Sequence, residues 1–238
     1  MHSELQAAVD DLYAVFGRYP LIEDVEYCDH CVDPEQVLAL HRPPLRQVTA
    51  EQLGPLLFSS TTTWGDQRYL NHFLPRLLEL VAAGDMDDWS YEVFLPSRLE
   101  DLWRSGSDDE RSAISDFGWA WWRETISTWP SACEVGDVLN TIADCGQDVS
   151  PYLAELEGRV GEPAARQLAE LVSRLVFRRR QDDQFWREVD DWLSGPAPAN
   201  VLVAELSATA DPDVAQQLSD AYEKLALWRQ TRSANTGR

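Results

Sequence analysis

The segment YCDHC holds the side chains best suited to chemistry in this sequence. Cys28 and Cys31 are separated by two residues, and two thiolates at this spacing can bind one zinc ion from a single turn of chain. His41 follows ten residues after the second cysteine and is a candidate third ligand. With Cys133 or Cys145 as a fourth ligand, the sequence permits a zinc site at Cys28, Cys31 and His41.

Two other interpretations of the cysteine pair stay open. A redox Cys-x-x-Cys needs a depressed thiol pKa, whereas the acidic surroundings EDVEYCDHCVDPE are expected to raise the pKa of both thiols. The cysteines can instead be small side chains inside a structured loop. We expect this structural role, with zinc binding as the alternative.

A second group of polar residues lies farther along the chain. His72, Arg76 and Glu79 are spaced four and three residues apart, so they share one face of a continuous helix. Such a set can bind an anion or perform acid–base chemistry, although Arg76 and Glu79 also suit a simple surface ion pair. Trp64 and Asp66 precede them in the string TTWGD. We mark Trp64, Asp66, His72 and Arg76 as candidate binding residues.

Adjacent tryptophans form the third candidate. Trp121 and Trp122 point about 100° apart on a helix, so we expect one indole to lie at a margin or in a groove. Tryptophan is enriched at binding hot spots, which makes both residues candidates for contact with a partner. The alternative, which we favour, is a thick core between stacked helices.

Helical periodicity dominates the rest of the chain. Capping boxes begin at Thr49 and Ser107, and Asp33 and Asp211 each cap a helix that starts with proline. Pro75 lies inside one predicted helix, which is therefore kinked there or begins again nearby. No convincing strand-and-turn pair is present. The sequence predicts an all-α fold of about ten to twelve antiparallel helices. The predicted helices cover 4–17, 34–41, 49–60, 66–84, 90–104, 107–128, 131–146, 150–158, 162–180, 182–194, 198–209 and 212–230.

The short connections between these helices fit two arrangements. One is a compact helical array, and the other is a degenerate solenoid of helix pairs resembling HEAT repeats, since no repeat of about 40 residues is visible. The string SGPAPAN at 194–200 is the candidate linker. We therefore predict a helical domain at 1–195 and a C-terminal helical pair at 196–238 that packs as a cap, with a frayed tail at 231–238.

Charge limits the kinds of partner. The chain has 41 acidic and 20 basic residues, a net charge of −21. Such a surface repels phosphate backbones and anionic lipids, so we expect neither nucleic acid nor membrane as a partner, and a basic protein suits it better. The sequence shows no signal-peptide pattern and no long apolar run, and its four cysteines suit reduced thiols. We therefore expect a cytoplasmic protein.

Several strings together support a resemblance. Tyr19-Pro20, the Cys28 and Cys31 pair, TTWGD, FLPRLLEL and WPSAC resemble a group of uncharacterised acidic helical proteins of high-G+C bacteria. The resemblance covers roughly residues 19–155. It implies a helical fold and no established activity.

These observations lead to three functional hypotheses. The sequence contains no Gly-rich phosphate loop, G-x-S-x-G, H-E-x-x-H or EF-hand loop, and we expect no cofactor unless zinc is bound. The first hypothesis is a protein-interaction or inhibitor/immunity-type module. Under this hypothesis we do not expect enzymatic activity. The alternatives are a small zinc protein using Cys28 and Cys31, and an enzyme using His72, Arg76 and Glu79.

Overall fold

A computed structural model describes residues 3–86, 95, 99–100, 102–144, 146–175 and 184–236. Of the described residues, 74% are helical, and they contain only two isolated β-bridges and no strand. This confirms the predicted all-α fold of about ten to twelve helices. Besides a 3₁₀ helix at Leu45–Gln47, the helices are α1 (Ser3–Phe16), α2 (Pro34–His41), α3 (Ala50–Ser59), α4 (Gln67–Ala83), α5 (Asp108–Ser127), α6 (Val135–Asp144), α7 (Ser150–Gly158), α8 (Glu162–Leu175), α9 (Gln184–Ser194), α10 (Ala197–Ala208) and α11 (Pro212–Thr236).

Side chains cap several helices, and the caps at Asp33, Thr49 and Ser107 are those that the sequence predicted. Asp33 and Thr49 each form a capping box, in which the side chain accepts a backbone N–H of the first turn and the residue at N3 reaches back. Asp66 accepts the backbone N–H of Tyr69 at 2.9 Å and caps α4. Ser107 and Glu110 exchange the same reciprocal bonds at the start of α5. These local bonds satisfy backbone donors that the helix itself leaves unpaired.

Helix α4 is buried along most of its length. Its apolar residues recur at helical spacing and are buried on most sides. Pro75 lies within this helix, which continues through it to Ala83. The alternative in which the helix begins again near residue 74 is therefore wrong. Buried leucines on both sides of the proline hold α4 together although one backbone hydrogen bond is lost.

The chain divides into two compact units. The first comprises Met1–Trp121 and Asp144–Gly146, and the second comprises Trp122–Ala143 and Gln147–Arg238. In the first unit α4 contacts α1, α3 and the 3₁₀ helix, while α2 contacts α3. In the second unit α8, α10 and α11 contact one another, and α9 contacts α7 and α10. The boundary at 195/196 and the cap at 196–238 stay predictions.

Two further features bear on the sequence predictions. The last helix continues to Thr236, beyond its predicted end at residue 230. The predicted helix at 90–104 lies mostly outside the described residues, and Cys145 lies outside them too. Across the part of the chain that the structure describes, no helix combines the length and hydropathy needed to cross a membrane.

Candidate functional site

An open cleft of about 520 Å³ lies between two loops of the first unit. One wall is the chain at 22 and 24–28, between α1 and α2, and the other is the chain at 62, 63, 65 and 66, between α3 and α4. We call this feature the loop cleft. It combines the YCDHC and TTWGD segments, which the sequence analysis had singled out separately.

Backbone hydrogen bonds join the two walls. The Cys28 N–H donates to the Thr63 carbonyl at 2.8 Å, and the Gly65 N–H donates to the Glu26 carbonyl at 2.8 Å. Tyr27 and Trp64 form an antiparallel bridge between them. Val25 on the first wall is buried, so a side chain anchors this wall as well as the backbone.

Each residue of TTWGD has a structural task. The hydroxyls of Thr62 and Thr63 donate to the Ser59 carbonyl at the end of α3. The backbone N–H groups of Thr62, Thr63 and Trp64 donate to the same carbonyl. Trp64 is buried, 1% exposed, and Asp66 caps α4. The segment therefore ends one helix, turns, and begins the next, which fixes the shape of the second wall.

Gly65 is required by this turn, because its φ is +64° and an added Cβ would lie 2.7 Å from Tyr69 Cδ1. We expect Gly65→Ala to lower the free energy of unfolding by about 2 kcal/mol, from backbone strain and overpacking. Urea denaturation measures this change. Gly54→Ala is the matched control, since its Cβ would meet nothing within 4 Å. In the interior of α3 that change should stabilise the fold by about 0.5 kcal/mol. Equal effects at both glycines would contradict the assignment.

His41, the candidate third zinc ligand, is held by an internal hydrogen bond in the first unit. His41 Nε2 shares a hydrogen bond of 2.8 Å with the Tyr69 hydroxyl. Burial raises the pKa of Tyr69, and the nearby Trp64 indole N–H partly opposes this increase. The geometry between the two groups falls short of a hydrogen bond, and no other described residue accepts this N–H. Burial also lowers the pKa of His41, with Glu23 opposing and His72 adding to the decrease. One nitrogen of His41 is therefore engaged inside the fold.

Cys28 and Cys31 meet in a single tight turn. The N–H groups of Cys31 and Val32 donate to the Cys28 carbonyl at 2.9 and 3.0 Å. The backbone N–H of His30, followed by the Cys31 thiol and backbone, lowers the pKa of Cys28 despite the charge of Asp29. The pKa of Cys31 is raised, because its thiol donates to Cys28. The expectation that acidic surroundings raise both pKa values is wrong for Cys28, since donors within the turn outweigh them.

A complete metal site is not formed by the residues that the structure describes. Among them, no three or more histidine, cysteine, aspartate or glutamate residues are grouped to hold a metal ion. Cys28 and Cys31 come together, His41 bonds to Tyr69, and Cys133 is buried. Cys145 lies outside the described residues. Zinc binding by Cys28, Cys31 and His41 stays a prediction.

The polar face of α4 is engaged in internal bonds. Arg76 donates from Nε to the Val48 carbonyl at 2.7 Å and from a terminal nitrogen to Glu79 at 2.8 Å. The Tyr13 hydroxyl donates to the same Glu79 carboxylate at 2.7 Å. The pair is largely buried, with side chains 17% and 15% exposed, so it joins α4 to α1 and differs from the simple surface ion pair. His72 Nδ1 donates to a loop carbonyl at 2.8 Å, and an enzymatic role for this face stays a prediction.

The two adjacent tryptophans are both core residues. Trp121 is 2% exposed and Trp122 is 0% exposed. Trp121 packs near Phe117 in the first unit, and Trp122 packs against Tyr152 in the second. The prediction that one indole lies at a margin is wrong, and the burial of both agrees with the thick core that the sequence analysis favoured. Neither indole offers its face to a partner.

The sequence analysis missed the acidic residues of the first wall. Asp24 and Glu26 alternate with the buried Val25 and are exposed on the first wall. This period of two is the signal of an extended segment with one buried side, and it was present but short. Asp66 was marked in advance, and it lines the second wall.

Comparison with known proteins adds no assignment to this geometry. Scans against protein-family models, curated proteins and solved structures each found no match for this chain. Arguments about function therefore depend on the residues themselves.

Proposed function

We propose that this protein is a cytoplasmic protein-interaction module whose loop cleft binds a basic segment of another protein. An inhibitor or immunity-type protein that covers a basic surface of a toxin or nuclease is the specific form of this proposal. The observation that carries it is the open cleft between two loops that backbone hydrogen bonds join, with exposed acidic residues on both walls.

Charge complementarity selects the class of partner. Asp24 and Glu26 are exposed on one wall and Asp66 on the other, within a protein of net charge −21. A cationic side chain in the cleft meets carboxylates from two directions, whereas a phosphate or carboxylate ligand is repelled. The long-range field also speeds the encounter with a basic partner.

The shape of the cleft suits a peptide chain with arginine or lysine side chains. Ile22 lies on the same wall as the acidic residues, and the aliphatic stem of a long cationic side chain can pack on it while its head reaches a carboxylate. Thr62 and Thr63 add hydroxyl and backbone groups on the facing wall. A short extended segment therefore finds apolar, polar and charged contacts within one cleft.

Binding of a fluorescent peptide of alternating arginine and glycine tests this proposal. We expect Asp24→Asn/Glu26→Gln to weaken binding by about fivefold, because two exposed charge pairs are worth about 1 kcal/mol together. Fluorescence anisotropy at low and physiological salt measures the dissociation constant, and the loss should shrink at the higher salt.

Asp220→Asn/Glu223→Gln is the matched control, since it removes two exposed carboxylates from α11 in the second unit. This control should change the dissociation constant by less than about twofold. Equal weakening by the two double variants would mean that bulk charge attracts the peptide and would overturn a cleft-specific site. Failure of the unaltered protein to bind the peptide would overturn the proposal altogether.

A further inference from the structure

We infer that the basic segment binds as an added antiparallel β-strand, whose backbone pairs with Tyr27 on the first wall of the loop cleft. The inference rests on the proposed function, since it keeps the same cleft and the same class of partner. It adds the conformation of that partner, which is an extended segment with arginine or lysine at every second residue. We call the side of the first wall that faces away from the second wall its outer edge.

The hydrogen bonds between the two walls fix the direction of the Tyr27 backbone groups. The Glu26 carbonyl accepts the Gly65 N–H at 2.8 Å. On the other flank of Tyr27, the Cys28 N–H donates to the Thr63 carbonyl at 2.8 Å. An antiparallel bridge with such bonds on both flanks leaves its central residue without a bond to the opposite strand. The N–H and the carbonyl of Tyr27 therefore point toward the outer edge.

The outer edges of the two walls differ. On the second wall, the Trp64 N–H donates to the Ser59 carbonyl at 3.1 Å, and Trp64 forms a parallel bridge with Ser60, so the end of α3 covers that edge. On the first wall, no residue that the structure describes bonds to the N–H or the carbonyl of Tyr27. An edge that offers both groups is where a peptide strand adds to a protein.

The alternation of side chains gives the added strand its chemical class. Asp24 and Glu26 are exposed on the first wall, whereas Val25 between them is buried. Side chains of the added strand alternate as well, so the residues that flank the one opposite Tyr27 lie on the same face as the two acidic residues. A cation at each of these positions forms a cross-strand pair with a carboxylate. Glycine fits between the cations, on the face where Val25 is buried.

Antiparallel addition is the direction that a single residue with both groups available supports best. In an antiparallel ladder, one residue exchanges both of its hydrogen bonds with one residue of the partner, and this ladder is more stable per residue than a parallel one. The residue between two cations therefore donates its N–H to the Tyr27 carbonyl. The backbone N–H groups of the cations themselves point to solvent.

Two N-methylated isomers of the fluorescent arginine–glycine peptide test this pairing. One isomer carries a methyl group on every glycine nitrogen and the other on every arginine backbone nitrogen, so both keep the charge and the length of the peptide. The glycine isomer should bind the unaltered protein at least about tenfold more weakly than the unmodified peptide, because it lacks the N–H that donates to Tyr27. The arginine isomer should bind within about threefold of the unmodified peptide. Fluorescence anisotropy measures the three dissociation constants.

Amide hydrogen exchange, followed by NMR, tests the same pairing from the side of the protein. Exchange at the Tyr27 N–H should slow at least about tenfold when the unmodified peptide saturates the protein. The Cys28 N–H is the reference, since it already bonds to the Thr63 carbonyl, and its exchange should change by less than about twofold.

The outcomes separate this inference from the proposed function. Equal binding by all three peptides, or equal weakening by both methylated isomers, would overturn strand addition and leave a basic segment in the cleft. Weakening by the arginine isomer alone would overturn the antiparallel direction. Unchanged exchange at Tyr27 with the peptide bound would place the peptide away from the outer edge. Failure of the unmodified peptide to bind would overturn the proposed function itself, and this inference with it.

Discussion

Replacing Trp122 by alanine is expected to lower the free energy of unfolding by about 4 kcal/mol. The side chain is fully buried, at 0% exposure, and its ring meets Tyr152 edge to face with centroids 6.3 Å apart. Its indole N–H donates to the Tyr152 carbonyl at 3.0 Å. Alanine removes the apolar contacts, leaves a cavity and deletes the hydrogen bond, so the three losses act together. Urea denaturation followed by circular dichroism measures the change.

Two further variants show which loss dominates. Trp122→Phe keeps most of the ring volume and loses the N–H, so we expect a decrease of about 1–2 kcal/mol. Leu227→Ala removes an apolar side chain that is 61% exposed and should stay within about 0.5 kcal/mol of the unaltered protein. If the alanine and phenylalanine variants were equally destabilised, burial of the ring would not be the main contribution. The phenylalanine variant remains measurable even where the alanine variant does not fold.

The elements that sequence predicted well are those decided by neighbours along the chain. The capping boxes at Thr49 and Ser107 each depend on residues three positions apart, and the proline-led α2 begins where Asp33 predicts. Such signals need no knowledge of tertiary structure. The all-α fold follows from their sum, because each helix was identified from its own period and caps.

The candidate site was harder to predict because its parts are distant in sequence. Tyr27 pairs with Trp64 through backbone groups, and backbone pairing leaves little trace in side-chain pattern over so short a segment. The spacing of Arg76 and Glu79 predicted that the two side chains pair, but not that the pair is largely buried. It could not show that Tyr13 and the Val48 carbonyl complete the set, since those contacts depend on how helices pack.

The adjacent tryptophans also show that sequence alone does not give tertiary contacts. Helical geometry required Trp121 and Trp122 to point in different directions, and this part of the inference was right. The sequence analysis favoured a thick core over a marginal indole, and the burial of both side chains agrees with that choice. The residues that bury each indole, such as Tyr152 against Trp122, are distant in sequence and depend on how the helices pack.

Glu110→Ala is expected to lower the free energy of unfolding by about 3 kcal/mol near neutral pH. The carboxylate is buried, with its side chain 3% exposed and Arg18 at 4.0 Å. It accepts the Tyr19 hydroxyl at 2.6 Å and the Ser107 backbone N–H at 2.7 Å. Alanine leaves both donors without this acceptor and removes the capping box of α5. Urea denaturation at a series of pH values measures the loss.

The pH dependence separates the charge of Glu110 from its packing. Burial raises the pKa of this carboxyl, but hydrogen bonds from Tyr19 and Ser107, with Arg18, outweigh burial and leave the pKa below its ordinary value. Its stabilisation is therefore complete above the unfolded pKa of about 4.3 and is lost as the pH falls through the lower folded value. The difference between the unaltered protein and Glu110→Ala should shrink over that acidic range.

Asp109→Asn is the control for this measurement, because Asp109 lies in the same first turn of α5 and its side chain is 80% exposed. Its 3.6 Å pair with Arg18 should contribute less than about 1 kcal/mol, and the variant should keep the pH profile of the unaltered protein. A loss at Glu110 that stayed constant from neutral to acidic pH would assign the effect to packing alone. The charge of Glu110 would then contribute nothing to the stability of the protein.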